Sequence, residues 1–136
     1  MIFIYVPCQN LDTAKTIAKI LVEKRDSKSH WVGELLLPGG VVEKNETLEL
    51  AMFREAMEEL GIIPKEFSLI PTKNPTYGWN NVLVNTYYIS KWQGEIPTHV
   101  LDKGNPLMWV DPDQALNSKI EPVKKATEAL KQFLKL

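Results

Sequence analysis

Apolar positions along this chain change their period several times, and each period predicts an element. Ile2, Phe3, Ile4, Tyr5 and Val6 form an unbroken apolar run ended by Pro7, which predicts a strand over residues 2–7. Leu11, Ala14, Ile17, Ala18 and Leu21 recur at helical spacing, with Asp12 placed to cap them. Residues 26–34 read as a polar loop, followed by short strands at 35–37 and 41–42 around the turn Leu37-Pro38-Gly39-Gly40. From Thr47 to Leu60 there is no glycine or proline. Leu48, Met52, Ala56 and Leu60 recur every four residues, which predicts a helix with one buried stripe. Asn45 or Thr47 can cap its start, and Gly61 suits the left-handed position after its end.

The second half alternates strands with short helices. Phe67–Pro71, Asn81–Ile89 and Leu107–Val110 are β-rich. Asp111-Pro112 starts a short helix, with aspartate as N-cap and proline in the first turn. Pro122 opens a last helix whose Val123, Ala126, Leu130, Phe133 and Leu134 form its inward stripe. Strands interleaved with helices predict an α/β protein, a mixed β-sheet sandwiched between helices. The 136 residues suffice for one domain, residues 1–136.

The predicted helix over 47–60 carries unusual charge. Glu55, Glu58 and Glu59 stand at i, i+3 and i+4, so a helix projects all three from one solvent face. Like charges so spaced cost about 0.2–0.5 kcal/mol per pair, and a bound cation is the simplest compensation. Hard oxygen donors suit Mg²⁺ or Mn²⁺.

Composition narrows the alternatives. The chain is 44% hydrophobic and 24% charged with a formal net charge of −1, so no basic field draws nucleic acid. A single cysteine, Cys8, excludes an internal disulfide, and two histidines beside it make a zinc cage a poor expectation. No apolar run reaches 18 residues, so no membrane span is expected. Met1–Val6 lacks a basic leader and reads as a strand, not a signal peptide. Together these features imply a cytoplasmic protein.

Between Gly40 and Ile62 the residues resemble a known motif. Gly40, Glu46, Arg54, Glu55, Glu58, Glu59 and Gly61 stand at the fixed positions of the Nudix box, with aliphatic Ile62 closing it and Ala56 a small residue at the other aliphatic position. Lys19–Arg25, Gly33–Gly40 and Leu107–Val110 resemble the flanking strands and approach turn of that family, so the resemblance covers most of residues 17–136. It implies a Nudix α/β/α sandwich and a strand at 17–24, which leaves helix and strand both open between 11 and 24. It implies Mg²⁺- or Mn²⁺-dependent hydrolysis of a phosphoanhydride in a nucleoside diphosphate linked to X. The cation would be held by Glu55, Glu58, Glu59 and the carbonyl of Gly40. Such cations bridge phosphate oxygens and turn bound water into a nucleophile. Arg54 and Glu55 are adjacent, and adjacent helical side chains diverge by about 100°. Arg54 is therefore expected to reach back to Glu46 in a bidentate pair.

Some relatives place a further carboxylate shortly before the late tryptophan. Here Asp102 fills that role better than Asp111, which capping explains. Asp102 and Glu55 remain the two candidates for general base. The segment Asn74–Asn81 offers Tyr77 or Trp79 to stack on a base and Asn80 or Asn81 to read its edge. The stretch Val42–Glu49 and the late segment are similar to both the MutT branch and the GDP-mannose branch, so nucleoside triphosphate and nucleotide sugar both stand as substrates. Trp31, in the loop before the box, serves equally well as a lid or as the contact of a homodimer. The rival reading is a Nudix module that binds a nucleotide metabolite as a sensor, although such modules often lose box carboxylates that this chain keeps.

Overall fold

The computed structural model describes residues 1–10, 15–26, 32–72, 76–78, 81–102 and 104–135. The strands are β1 (Ile2–Tyr5), β2 (Pro7–Asn10), β3 (Lys15–Lys24), β4 (Leu35–Leu36), β5 (Gly39–Gly40), β6 (Ile63–Leu69), β7 (Thr76–Tyr77), β8 (Leu83–Gln93) and β9 (Leu107–Val110). The helices are α1 (Leu48–Glu55), which continues as a π-helical turn over Ala56–Leu60, then α2 (Pro112–Leu116) and α3 (Glu121–Leu134).

One sheet runs β5-β1-β8-β6, with β7 added beside β8. Here β1 lies parallel to β8 and antiparallel to β5, so the sheet is mixed. The other sheet runs β2-β3-β4, with β9 beside β3. Alternation along β1 explains the layers. Phe3 and Tyr5 join a core with Val123, Ala126 and Leu130 of α3, while Ile2 and Ile4 join a core with Ala51, Met52 and Leu60 of the box helix. On β3, Ile20 and Val22 face the first core and Leu21 the second. Both faces are therefore covered, and the expected α/β/α sandwich is what forms.

The unbroken apolar run at the N-terminus thus marks a strand buried on two sides. It breaks at Tyr5, and Pro7 opens β2 opposite Ile20 instead of simply ending β1. Between 11 and 24 the described part, Lys15–Lys24, is strand, and the helical reading fails there. Residues 20–22 are all buried, so the alternation that identifies a half-exposed strand is missing. In α3 the expected stripe holds at Val123, Ala126 and Leu130. Phe133 is 38% exposed and meets Tyr88 edge-on at 5.9 Å. A buried hydrogen bond between the Tyr5 hydroxyl and Thr127 Oγ1 ties the central strand to α3. Burial raises the Tyr5 pKa, and the Thr127 bond offsets part of that rise.

Candidate active site

The box helix begins as its sequence requires. Thr47 is extended, and its Oγ1 accepts the Leu50 N–H at 3.1 Å, so the earlier choice between Asn45 and Thr47 falls to Thr47. Met52, Ala56 and Leu60 are fully buried, as the four-residue stripe predicts. At the far end Gly61 adopts φ 64°, ψ 27°, and its N–H bonds the Met57 carbonyl. The turn Ala56–Leu60 is wider than an α-turn, a π-helical geometry frequently found at functional sites.

Before the helix, Gly39 and Gly40 pass against β1 and the helix with no room for side chains. A Cβ on Gly39 would fall 1.9 Å from the Ile2 carbonyl oxygen, and one on Gly40 would fall 2.3 Å from Glu55 Oε1. This close approach sets the Gly40 backbone against the Glu55 carboxylate.

Arg54 organises the charges. Its Nε and Nη2 fork onto the two oxygens of Glu46 at 2.7 and 2.9 Å, the bidentate pair expected from the sequence. Its Nη2 also donates to the Val41 carbonyl at 2.9 Å. The expectation that it diverges from Glu55 is overturned: Nη1 donates to Glu55 Oε1 at 2.8 Å and to Glu58 Oε2 at 3.2 Å. A long guanidinium reaches sideways across the helix surface, so divergence at Cβ does not decide where its tip lies. Glu43 approaches the same Nη1 at 3.8 Å and donates its backbone N–H to Glu46 Oε1 at 3.0 Å. Hydrogen bonds from Arg54, and then the Glu43 N–H, hold the Glu46 pKa down to about 2, from an ordinary 4.5. Arg54 is pushed up in return, chiefly by Glu46, with Glu55 adding.

The three box acids do not share one environment. Glu58 projects outward, but Glu55 is only 6% exposed and Glu59 is fully buried, which corrects the expectation that all three face solvent. Among the described residues, no three acidic, histidine or cysteine side chains converge as a ready metal cage. Glu55 and Glu58 instead share Arg54 Nη1. The donor set still suits a hard divalent cation, because it consists of carboxylates with the Gly40 backbone packed against one of them.

A cavity of about 340 Å³ opens beside this cluster. Glu55, Glu58, Gly40 and Asp102 line it, so the loop carboxylate and two box acids do meet at one place, while Glu59 lies outside the lining. Arg25, Phe3 and Leu36 also line it, and sequence reasoning gave none of them a site role. Arg25 follows β3, and its backbone exchanges hydrogen bonds with Gly33 and Glu34 across the loop before the box. A cation at a strand end flanking a glycine-bearing loop is the signal that could have found it.

The base-reading residues fare differently. Tyr77 is 56% exposed and does not line the cavity. Asn81 is exposed at φ 57°, a left-handed position just before Val82, whose carbonyl accepts the Gly78 N–H. Trp79, Asn80 and Trp31 lie outside the described residues. Asp111, set aside as a cap, does start α2, where Gln114 Oε1 accepts its N–H at 3.0 Å. Among the described residues no helix is long and apolar enough to cross a membrane.

The family model for the NUDIX domain matches residues 9–134, and the chain belongs to the Nudix family. Over 77 residues it is 32% identical to the 8-oxo-dGTP diphosphatase of Escherichia coli (strain K12), covering 57% of this chain and 60% of that protein. Over 52 residues it is 50% identical to the ADP-ribose pyrophosphatase of Methanocaldococcus jannaschii, covering 38% of this chain and 30% of that protein. Both matches span less than two-thirds of the relative's length. The fold is similar to the crystal structure of the MutT Nudix hydrolase from Burkholderia pseudomallei, with a TM-score of 0.59 at 26% identity over 97% of this chain and 98% of that one.

Proposed function

We propose that this protein is a Nudix pyrophosphohydrolase that cleaves a phosphoanhydride in a nucleoside diphosphate linked to X, with a nucleoside triphosphate as the favoured substrate. The observation that carries this reading is the single cavity lined by Glu55, Glu58, Asp102, Gly40 and Arg25. This reading assigns the carboxylates of that lining to a cation and to proton transfer, and the Arg25 guanidinium to phosphate. The match to the 8-oxo-dGTP diphosphatase extends over more of the chain than the match to the ADP-ribose pyrophosphatase, which favours a triphosphate over a nucleotide sugar.

In this reading Glu55, Glu58, Glu59 and the Gly40 carbonyl hold Mg²⁺ or Mn²⁺. The cation supplies positive charge against the phosphate oxygens and favours deprotonation of water. Arg25 offers its charge to the substrate phosphates. Asp102, carried on a loop and exposed, takes the proton, with Glu55 as the alternative acceptor. Arg54 touches no substrate; it fixes Glu55 and the loop before the helix through Glu46. The single Cys8 suits a reducing cytoplasm.

Phosphate or pyrophosphate release from a panel of nucleoside triphosphates, nucleotide sugars and ADP-ribose, with Mg²⁺ or Mn²⁺ and with EDTA, tests the reading. The expected result is release that EDTA abolishes, strongest on a triphosphate. Binding of nucleotides with no release under any metal would replace the enzyme by a sensor.

A further inference from the structure

The π-helical turn leaves a carbonyl at the end of the box helix to be satisfied from outside, because the last carbonyls of a helix have no partner within it. The Glu59 carbonyl finds that partner in the Leu101 N–H at 2.9 Å. The Leu101 side chain lies over the end of the same helix. A Cβ added to Gly61 would stand 3.1 Å from Leu101 Cδ1, so any larger residue there would press on the leucine tip and would also have to take the left-handed φ of 64°. The rest of the Leu101 side chain faces solvent, 59% exposed. The next residue is Asp102.

We infer that Leu101 and Gly61 form a latch that positions Asp102 over the cavity it shares with Glu55 and Glu58. This rests on the hydrolase reading above. The loop has its own closure as well: Val100 is buried, its N–H bonds the Asn105 carbonyl, and its carbonyl accepts the Gly104 N–H, both at 2.8 Å. The Leu101 contacts tie the acid-bearing tip to the end of the box helix, at the backbone of Glu59, whose side chain is a proposed cation ligand. Leu101 and Gly61 touch no reacting atom, so they are positioning residues.

The test combines kinetics with amide hydrogen exchange in EDTA. Leu101→Ala, a substitution at an exposed site, removes the side-chain half of the latch. It is expected to lower kcat about tenfold with KM within twofold, since displacing a reacting group by about 1 Å can cost up to ~10²-fold. Leu101→Met is expected to restore most of the loss. Gly61→Asn keeps a residue that tolerates the left-handed turn but crowds Leu101, and is expected to resemble Leu101→Ala. In an Asp102→Asn background, Leu101→Ala should cost nothing more. Exchange should show the Leu101 amide protected in wild type and less so in Gly61→Asn. Wild-type kcat in Leu101→Ala, a full additive loss on Asp102→Asn, no loss in Asp102→Asn itself, or an unprotected Leu101 amide would each overturn the latch. If wild type hydrolyses no nucleotide, the enzymatic reading fails and the catalytic sense of the latch with it, while the exchange result still decides whether the contact exists.

Discussion

At the start of the box segment, Glu43 and Glu46 of the loop before the helix meet the guanidinium of Arg54 about two turns into it, so these charges find their counter-charges within the same segment. At its end, Glu58 is half-exposed, Glu59 is fully buried, and the backbone is completed by a loop some forty residues away in the chain, through Leu101. The first end is a local arrangement that residue spacing specifies almost by itself. The second end depends on a π-helical turn and a distant partner, neither of which spacing encodes. In a motif of this kind, order at one end and reactivity at the other are separate tasks. Arg54 connects them by touching both Glu46 and Glu55.

The largest effect should separate the two ends outright. Glu58→Gln is expected to lower kcat at least ~10²-fold, the order seen when a preorganised electrostatic group is lost, with Tm unchanged because the side chain is exposed. Glu59→Gln should lower kcat as far but also shift Tm, since its carboxylate is fully buried. Steady-state kinetics paired with thermal melts will show the contrast. Equal Tm values for both variants would mean that burial at the far end carries no structural weight.

Arg54→Lys attacks the connection itself. Lysine keeps the charge but cannot fork onto Glu46 while reaching Glu55, so both Tm and kcat should fall, kcat by about tenfold through misplacement of Glu55. A double-mutant cycle with Glu46→Gln should be strongly non-additive in Tm. Strict additivity would show that the two residues do not act as a pair.

Much of the box helix is legible in the sequence. A cap at Asn45 or Thr47, Gly61 as the left-handed stop and the Met52–Ala56–Leu60 stripe follow from propensity and period, as does the strand Leu107–Val110. What escaped has physical reasons. β3 is buried on both faces at residues 20–22, so its periodicity cannot be told from that of a helix. β6 begins at Ile63, before the expected Phe67, because it includes Pro64 and is mostly exposed, which removes both strand signals. Acidic residues are read as solvent-facing by default, yet Glu55 and Glu59 are buried beneath Arg54 and the helix end. Arg25 joins the cavity only because β3 ends beside the glycine turn, a tertiary fact.

A milder perturbation uses acid. Glu46 titrates near 2 in the folded protein and near 4.5 when unfolded, so its folded pKa is depressed. The stabilisation it contributes is complete above pH 4.5 and is lost as pH falls from there towards 2. Urea melts across that window should show wild type losing stability more steeply than Glu46→Gln, which has no carboxylate to protonate. Parallel slopes would remove Glu46 as a contributor to the acid limb.

The smallest effect concerns a region outside the box segment, the hairpin of β7 and β8. Asn81 has two competing explanations: a group that reads the base edge, or a residue chosen for φ 57°. Glycine and alanine separate them. Asn81→Gly keeps the left-handed conformation and removes the amide, whereas Asn81→Ala removes the amide and strains the turn by ~1–2 kcal/mol. Since Asn81 is exposed and stands apart from the cavity lining, the expected result is a wild-type KM in both variants and a lowered Tm in the alanine variant alone. Tyr77→Ala should likewise leave KM within about threefold, below the ~1–3 kcal/mol that a stacked base would lose. A tenfold rise in KM for Asn81→Gly or Tyr77→Ala would instead bring this hairpin over the bound nucleotide and make it part of the substrate site.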